Sequence, residues 1–264
     1  MASPKDDREK DLIFDYRALR LMVGAIAFLL PWVVIIATLR VTSSISASYH
    51  TNVRDIFVGA LFVIGALFVA YNGHQVELND RNIGKFWNWL SRFWKAAKEF
   101  RKLERKYEER LVSFLGGCAA IVAALFPTAC DQCDPDLKSR IHAIAAAILF
   151  SGVVYFCLVG FLDQARAKQG TKAKLRAWIY LVCGWGIAAI MVGSVAAPYA
   201  VTAELARAWS ITFWAETVAL WLFGIAWMTA SKFLRFLVDD EKEQLKLIDL
   251  KMHQTNNREV QTSA

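Results

Sequence analysis

Glu216 is a lone carboxylate inside an apolar stretch, Ala208–Phe233, and that setting makes it the first residue to examine for chemistry. An uncompensated charge in hydrocarbon is prohibitive, so this side chain must be paired, protonated or bound to a metal. Other polar side chains stand at the rims of neighbouring apolar stretches. Arg54 and Asp55 open Arg54–Tyr71, and His142 lies just inside Arg140–Leu162. With the helical rise per residue, His142 sits ~4–5 Å and Glu216 ~12 Å into their segments, counted from the same side. The residues before Arg54 add Ser44, Ser46, Tyr49 and His50.

Two chemistries follow from this convergence. In the structural one, Glu216 pairs with Arg54 or His142 and clamps three helices together. In the functional one, the group forms a polar pocket for a lipid headgroup: Arg54 meets phosphate, Glu216 and His142 set the charge, and Tyr49 and Ser46 supply hydrogen bonds. A third reading is an intramembrane metal-dependent lipid hydrolase with His142, Glu216 and Asp55 at its centre and His50 as a further ligand, because imidazole and carboxylate suit zinc. No His-x-x-x-His pair supports a metal, and the sequence asks for no cofactor. A Ser46–His50–Asp55 triad is weaker still, since these residues crowd one short loop. His74 and His253 receive no role.

Helices must position these groups. A hydrocarbon core about 30 Å thick needs roughly 20 apolar residues in helix. Six segments meet or approach that length: Ala18–Leu39, Arg54–Tyr71, Leu111–Thr128, Arg140–Leu162, Ala177–Tyr199 and Ala208–Phe233. Hydrophobic residues make up 56% of the chain and charged ones 21%, which fits a polytopic membrane protein with charged loops. The first segment is too long for a signal peptide and lacks a small-residue cleavage site, so it reads as a retained span. With residues 1–17 taken as cytoplasmic, 26 of the 31 Lys and Arg fall on the inner side. That bias places both termini in the cytoplasm of a cell with this protein in its inner (plasma) membrane. The net charge of +7 is then a membrane-surface signature, and the basic residues form no nucleic-acid-reading module.

Between the second and third spans, Phe86, Leu90, Phe93, Trp94, Ala97, Phe100 and Tyr107 recur at helical spacing, interleaved with Lys85, Arg92, Lys95, Arg101, Lys102 and Lys106. This cytoplasmic insert, 83–110, is expected to lie as an amphipathic helix on anionic inner-leaflet lipids or to pack under the bundle. Residues 234–264 form a charged cytoplasmic tail. A homo-oligomer or a cytoplasmic partner recruited by the insert and the tail gives an interaction-protein alternative. Small residues four apart, Gly116/Ala120/Ala124, Gly184/Ala188 and Ala189/Gly193, mark expected helix contacts. Cys118, Cys157 and Cys183 read as packing residues. Cys130 and Cys133 share an outer loop, where a disulfide or two free thiols are both open.

Several of these residues also carry a resemblance. Ser44-Ile45-Ser46, Arg54-Asp55-Ile56-Phe57-Val58-Gly59, Ile141-His142 and Phe213-Trp214-Ala215-Glu216 resemble a group of uncharacterised bacterial multi-pass proteins. More distantly the chain is similar to the six-span DRAM/FGF-receptor-activating-protein family, at Ile45-Ser46, Phe57 and Gly59, His142 and Ala215-Glu216. The insert 83–110 and the Cys130/Cys133 loop depart from that pattern. The resemblance implies a six-helix bundle in a lipid context and no reaction. A looser similarity to ceramidase-type intramembrane hydrolases lacks their seventh span and their paired C-terminal histidines.

The expected fold is therefore all-α: a bundle of six transmembrane helices over residues 18–233, with an interfacial helix between spans two and three. Its expected role is to bind or sense a lipid headgroup at the outer leaflet.

Overall fold

The computed structural model describes residues 4–39, 41–71, 107–129, 136–168, 170–200, 202–232 and 237. All regular structure among them is helical. In chain order α1 is Pro4–Thr38, a 3-10 turn covers Ser46–His50, α2 is Arg54–Val69 and α3 is 107–125. The chain continues with α4, Leu137–Tyr155, which passes through a π-helical turn, Phe156–Phe161, into α5, Leu162–Arg166. Then follow α6, Thr171–Ala200, a short α7, Ala203–Ala208, and α8, Ile211–Ala230. Most of the insert 83–110, the Cys130/Cys133 pair and nearly all of the tail lie outside the described residues. The insert's last residues, 107–110, form the first turn of α3 instead of a separate element.

Among the described residues, four helical stretches are long and apolar enough to cross a membrane: Arg17–Thr38, Leu137–Arg166, Thr171–Ala197 and Ile211–Ala230. The remaining two expected spans are weaker. At 16 residues α2 is about 24 Å long, and the first turn of α3 holds Glu108, Glu109 and Arg110. Large apolar side chains such as Ile36, Ile144 and Val195 face outward along the helices, a distribution compatible with insertion into lipid. Aromatic side chains stand exposed toward both ends, Trp178 near the start of α6 and Tyr199 and Trp209 at the opposite side, as in interfacial belts.

The bundle is organised around α8, which packs along α1 on one side and α6 on the other, while α2 lies against α1 and α4 against α6. Two glycine-on-glycine crossings set the closest approaches. A Cβ at Gly24 would meet the Gly224 carbonyl oxygen at 2.9 Å, and one at Gly224 would meet the Gly24 carbonyl oxygen at 2.7 Å. Gly65 of α2 and Gly117 of α3 repeat the arrangement at 2.8 and 2.6 Å. Where lipid offers no hydrophobic drive, such backbone proximity supplies the dispersion contact that joins helices. Of the expected stripes, Gly116 packs on Phe68 and Gly184 on Leu158, but Gly193 has nothing within 4 Å.

Helix ends explain the boundaries. The Asp136 side chain accepts from the Ser139 amide at 2.8 Å and starts α4. That bond and the neighbouring Ser139 hydroxyl hold the Asp136 carboxyl below its usual range, against a smaller upward push from burial. The π turn closes with i→i+5 geometry, so Phe156 and Phe161 both point inward, their rings 5.7 Å apart. They join Phe68, Phe223 and Trp227 in an aromatic core at the end where α1 begins. Ser210, at φ 47°, breaks the last expected span, so α8 begins at Ile211 and not at Ala208. It ends at Ala230, with Lys232 in the left-handed region at φ 57°.

Candidate functional site

The end of the bundle where α1 finishes holds the polar residues singled out above. Because α8 starts late, Glu216 stands only about 7–8 Å into its helix. Its carboxylate takes neither Arg54 nor His142. Glu216 Oε2 accepts from the Ile45 amide at 2.5 Å and the Ser46 amide at 3.1 Å, and Oε1 accepts from Ser46 Oγ at 3.1 Å. These amides open the 3-10 turn Ser46–His50, so a side chain from α8 caps a turn in the α1–α2 connection. First-turn amides have no intrahelical partner, and a carboxylate is the strongest neutral-pH acceptor for them.

The connection is stitched further by its own hydroxyls. Thr42 Oγ1 donates to the Ser44 carbonyl at 2.7 Å, and Ser44 Oγ accepts from the Ala47 amide at 2.8 Å. Ser48 Oγ donates to the Ile45 carbonyl at 2.5 Å, and Thr51 Oγ1 to the Ser48 carbonyl at 2.8 Å. Ile45 and Val53 are buried, so the connection packs into the bundle. The Ser/Thr-rich composition thus satisfies a loop whose backbone groups are shielded from water.

The histidines do related work on the next connection. His142, buried on α4, donates from Nδ1 to the Ala123 and Phe126 carbonyls, both at 2.9 Å. His50 Nε2 donates to the Thr128 carbonyl at 2.8 Å. Carbonyl oxygens only accept, so Nδ1 of His142 and Nε2 of His50 each carry a proton. Pro127 stops α3, and His142 takes up carbonyls that this ending leaves free. Sequence reasoning offered these two residues as metal ligands; both instead grip the backbone of 123–128.

Arg54 and Asp55 are exposed at the head of α2. The Arg54 guanidinium lies 4.5 Å from the Tyr49 ring centroid and donates to the Tyr49 hydroxyl at 3.0 Å. The structure therefore brings Ser46 to Glu216 and Tyr49 to Arg54, and it sends His142 and His50 to different carbonyls. Among the described residues no three His, Cys, Asp or Glu side chains come together as a metal-binding group.

Sequence reasoning missed the opposite end. Arg20 lies inside the first expected span, Ala18–Leu39. It is 8% exposed, donates from Nη2 to the Tyr71 hydroxyl at 2.6 Å and from Nη1 to the Ala230 carbonyl at 3.2 Å. A basic residue a turn inside an apolar segment was the available signal.

No protein-family model, no curated protein and no solved structure matches this chain.

Proposed function

We propose that the chain is a six-span inner-membrane bundle with both termini cytoplasmic, which binds a phospholipid headgroup at the outer membrane surface through Tyr49, Arg54 and Asp55. The observation that carries this reading is the exposed Arg54 guanidinium held on the Tyr49 ring, beside a connection fixed by Glu216. Arginine so oriented keeps donors for a phosphate oxygen, and Asp55 next to it suits the amine of a zwitterionic headgroup. Glu216, His142, His50 and Ser46 then support the site from beneath. In this reading α2 and α3 cross with the other four, which restores alternating direction and places the basic segments on one side.

Native mass spectrometry of the detergent-purified protein tests the proposal. Wild type should retain phospholipid, and Arg54→Ala with Tyr49→Phe should lose it while the melting temperature holds. Equal retention by wild type and double variant would refute the site. A hydrolase finds no support in the geometry, because His142 and Glu216 are committed to separate backbone segments and Asp55 stands apart on the surface.

A further inference from the structure

The end of the bundle where α1 begins holds a buried cation. Arg20 is more than nine-tenths buried, and its guanidinium lies 5.2 Å from the Tyr71 ring centroid and 5.4 Å from that of Phe161. Its hydrogen bonds go to neutral acceptors, the Tyr71 hydroxyl and the Ala230 carbonyl, and among the described residues Nε has no partner. Ring faces, hydroxyls and carbonyls soften a buried positive charge without cancelling it, and a buried ion is ordinarily paired. Glu109, a buried carboxylate one turn before Ser113, lies against Gly160 and has an interaction of its own. It is not among the hydrogen-bond partners of Arg20.

Arg20 lines a cavity of about 20 Å³ where five segments meet. Arg20 and Val23 come from α1, Tyr71 from just past α2, Ser113 from α3, Phe161 from the π turn and Trp227 from α8. The Ser113 hydroxyl is turned to the Phe68 carbonyl, to which it donates at 2.6 Å. Arg20 is therefore the charged wall of the cavity and supplies its open donor. A space of this size takes one water-sized particle and shuts out phosphate or sulfate. A monatomic anion fits both the volume and the charge. Chloride is only slightly wider than a water oxygen, and it sheds its hydration shell at less cost than fluoride does.

We propose that this cavity is a halide site, in which chloride accepts a hydrogen bond from Arg20 Nε and neutralises the guanidinium. An ion held there ties α1 to α2, α3, the π turn and α8 at once. It binds the folded bundle and not the unfolded chain, so the stability of the protein follows the chloride concentration.

The test melts the full-length protein in detergent micelles while sodium chloride replaces sodium gluconate, too large an anion for the cavity, at constant ionic strength. Wild type should gain about 3–5 °C once chloride stands about tenfold above its dissociation constant, and the gain should saturate. Bromide should act alike. Arg20→Met should flatten the response, so that its gap to wild type widens with chloride. Val23→Leu keeps Arg20 and fills the cavity; it should flatten the response too, and it decides the matter if Arg20→Met does not fold. Crystals grown in bromide should show its anomalous signal beside Arg20 Nε. Arg54→Ala with Tyr49→Phe should respond as wild type does, which separates this site from the headgroup site. No difference between chloride and gluconate, a full chloride response in Val23→Leu, or bromide bound only elsewhere would overturn the proposal and leave a water as the partner of Arg20 Nε.

Discussion

Both ends of the bundle shelter ionisable side chains, and Glu216 at one end and Arg20 at the other are satisfied in opposite ways. Glu216 accepts three hydrogen bonds from Ile45 and Ser46, all from a turn whose amides had no other partner. Arg20 donates two, and among the described residues its Nε has no partner beside a cavity. A closed polar cluster fixes geometry, whereas one with a donor left open beside a cavity has room for a further partner. The residue that looked most functional is thus a fastener. Arg20, inside the first expected span, is the less closed of the two.

The comparison breaks most readily at Glu216. Replacing it with Ala removes three acceptor contacts and strands two amides, and should cost about 3 kcal/mol or more. The readout is a thermal melt in detergent. Gln keeps one acceptor oxygen and should fall between Ala and wild type. An Ala variant as stable as the parent would mean that the carboxylate is not the fastener. His142→Ala is expected next, at about 2 kcal/mol, because it leaves the Ala123 and Phe126 carbonyls without their donor and opens a small void. Added metal should rescue neither variant.

Arg20→Met sharpens the contrast from the other side. Methionine fills the space between Tyr71 and Phe161, and the unpaired Nε disappears along with the hydrogen bonds it accompanies. Apolar replacement of a buried ion is often close to neutral, so the loss in lipid-free detergent should be about 1 kcal/mol or less. A loss as large as that of Glu216→Ala would make the two ends alike.

These differences were only half legible in the sequence. The apolar runs gave both ends of α2 and α8 to within a turn, because apolar composition marks the segments, but α1 begins at Pro4 and α6 at Thr171, well before Ala18 and Ala177, since polar and charged residues continue those helices beyond the apolar run. Glu216 and His142 stood out against the same apolar composition. Their partners did not, since backbone amides and carbonyls carry no residue signature, and pairing Glu216 with Arg54 or His142 was the natural expectation from charge alone. The Gly24–Gly224 and Gly65–Gly117 crossings were also invisible. Each is one glycine per helix meeting a glycine far away in sequence, so no four-residue stripe announces it, while the stripe that reached Gly193 marks no contact. The break at Ser210 was hidden by apolar neighbours on both sides, and it moved Glu216 nearer the rim than hydropathy suggested.

Lys232 provides the smallest and most diagnostic effect. Burial pushes its ammonium down to about 8 from an ordinary 10.5, with Lys168, Arg17, Arg20 and Arg176 adding to the shift. It lies past the end of α8, outside the apolar span. Below pH 8 the lysine is protonated both folded and unfolded, and the folded protein bears the whole cost of the charge. Between about 8 and 10.5 the folded state releases a proton that the unfolded state keeps, so stability rises with pH across that window. Lys232→Gln should therefore melt a few degrees higher than wild type near pH 7, and the gap should close as the pH approaches 10.5. If the variant is instead less stable than wild type near pH 7, the Lys232 ammonium is stabilised by a partner within the protein, and this end resembles the Glu216 end after all.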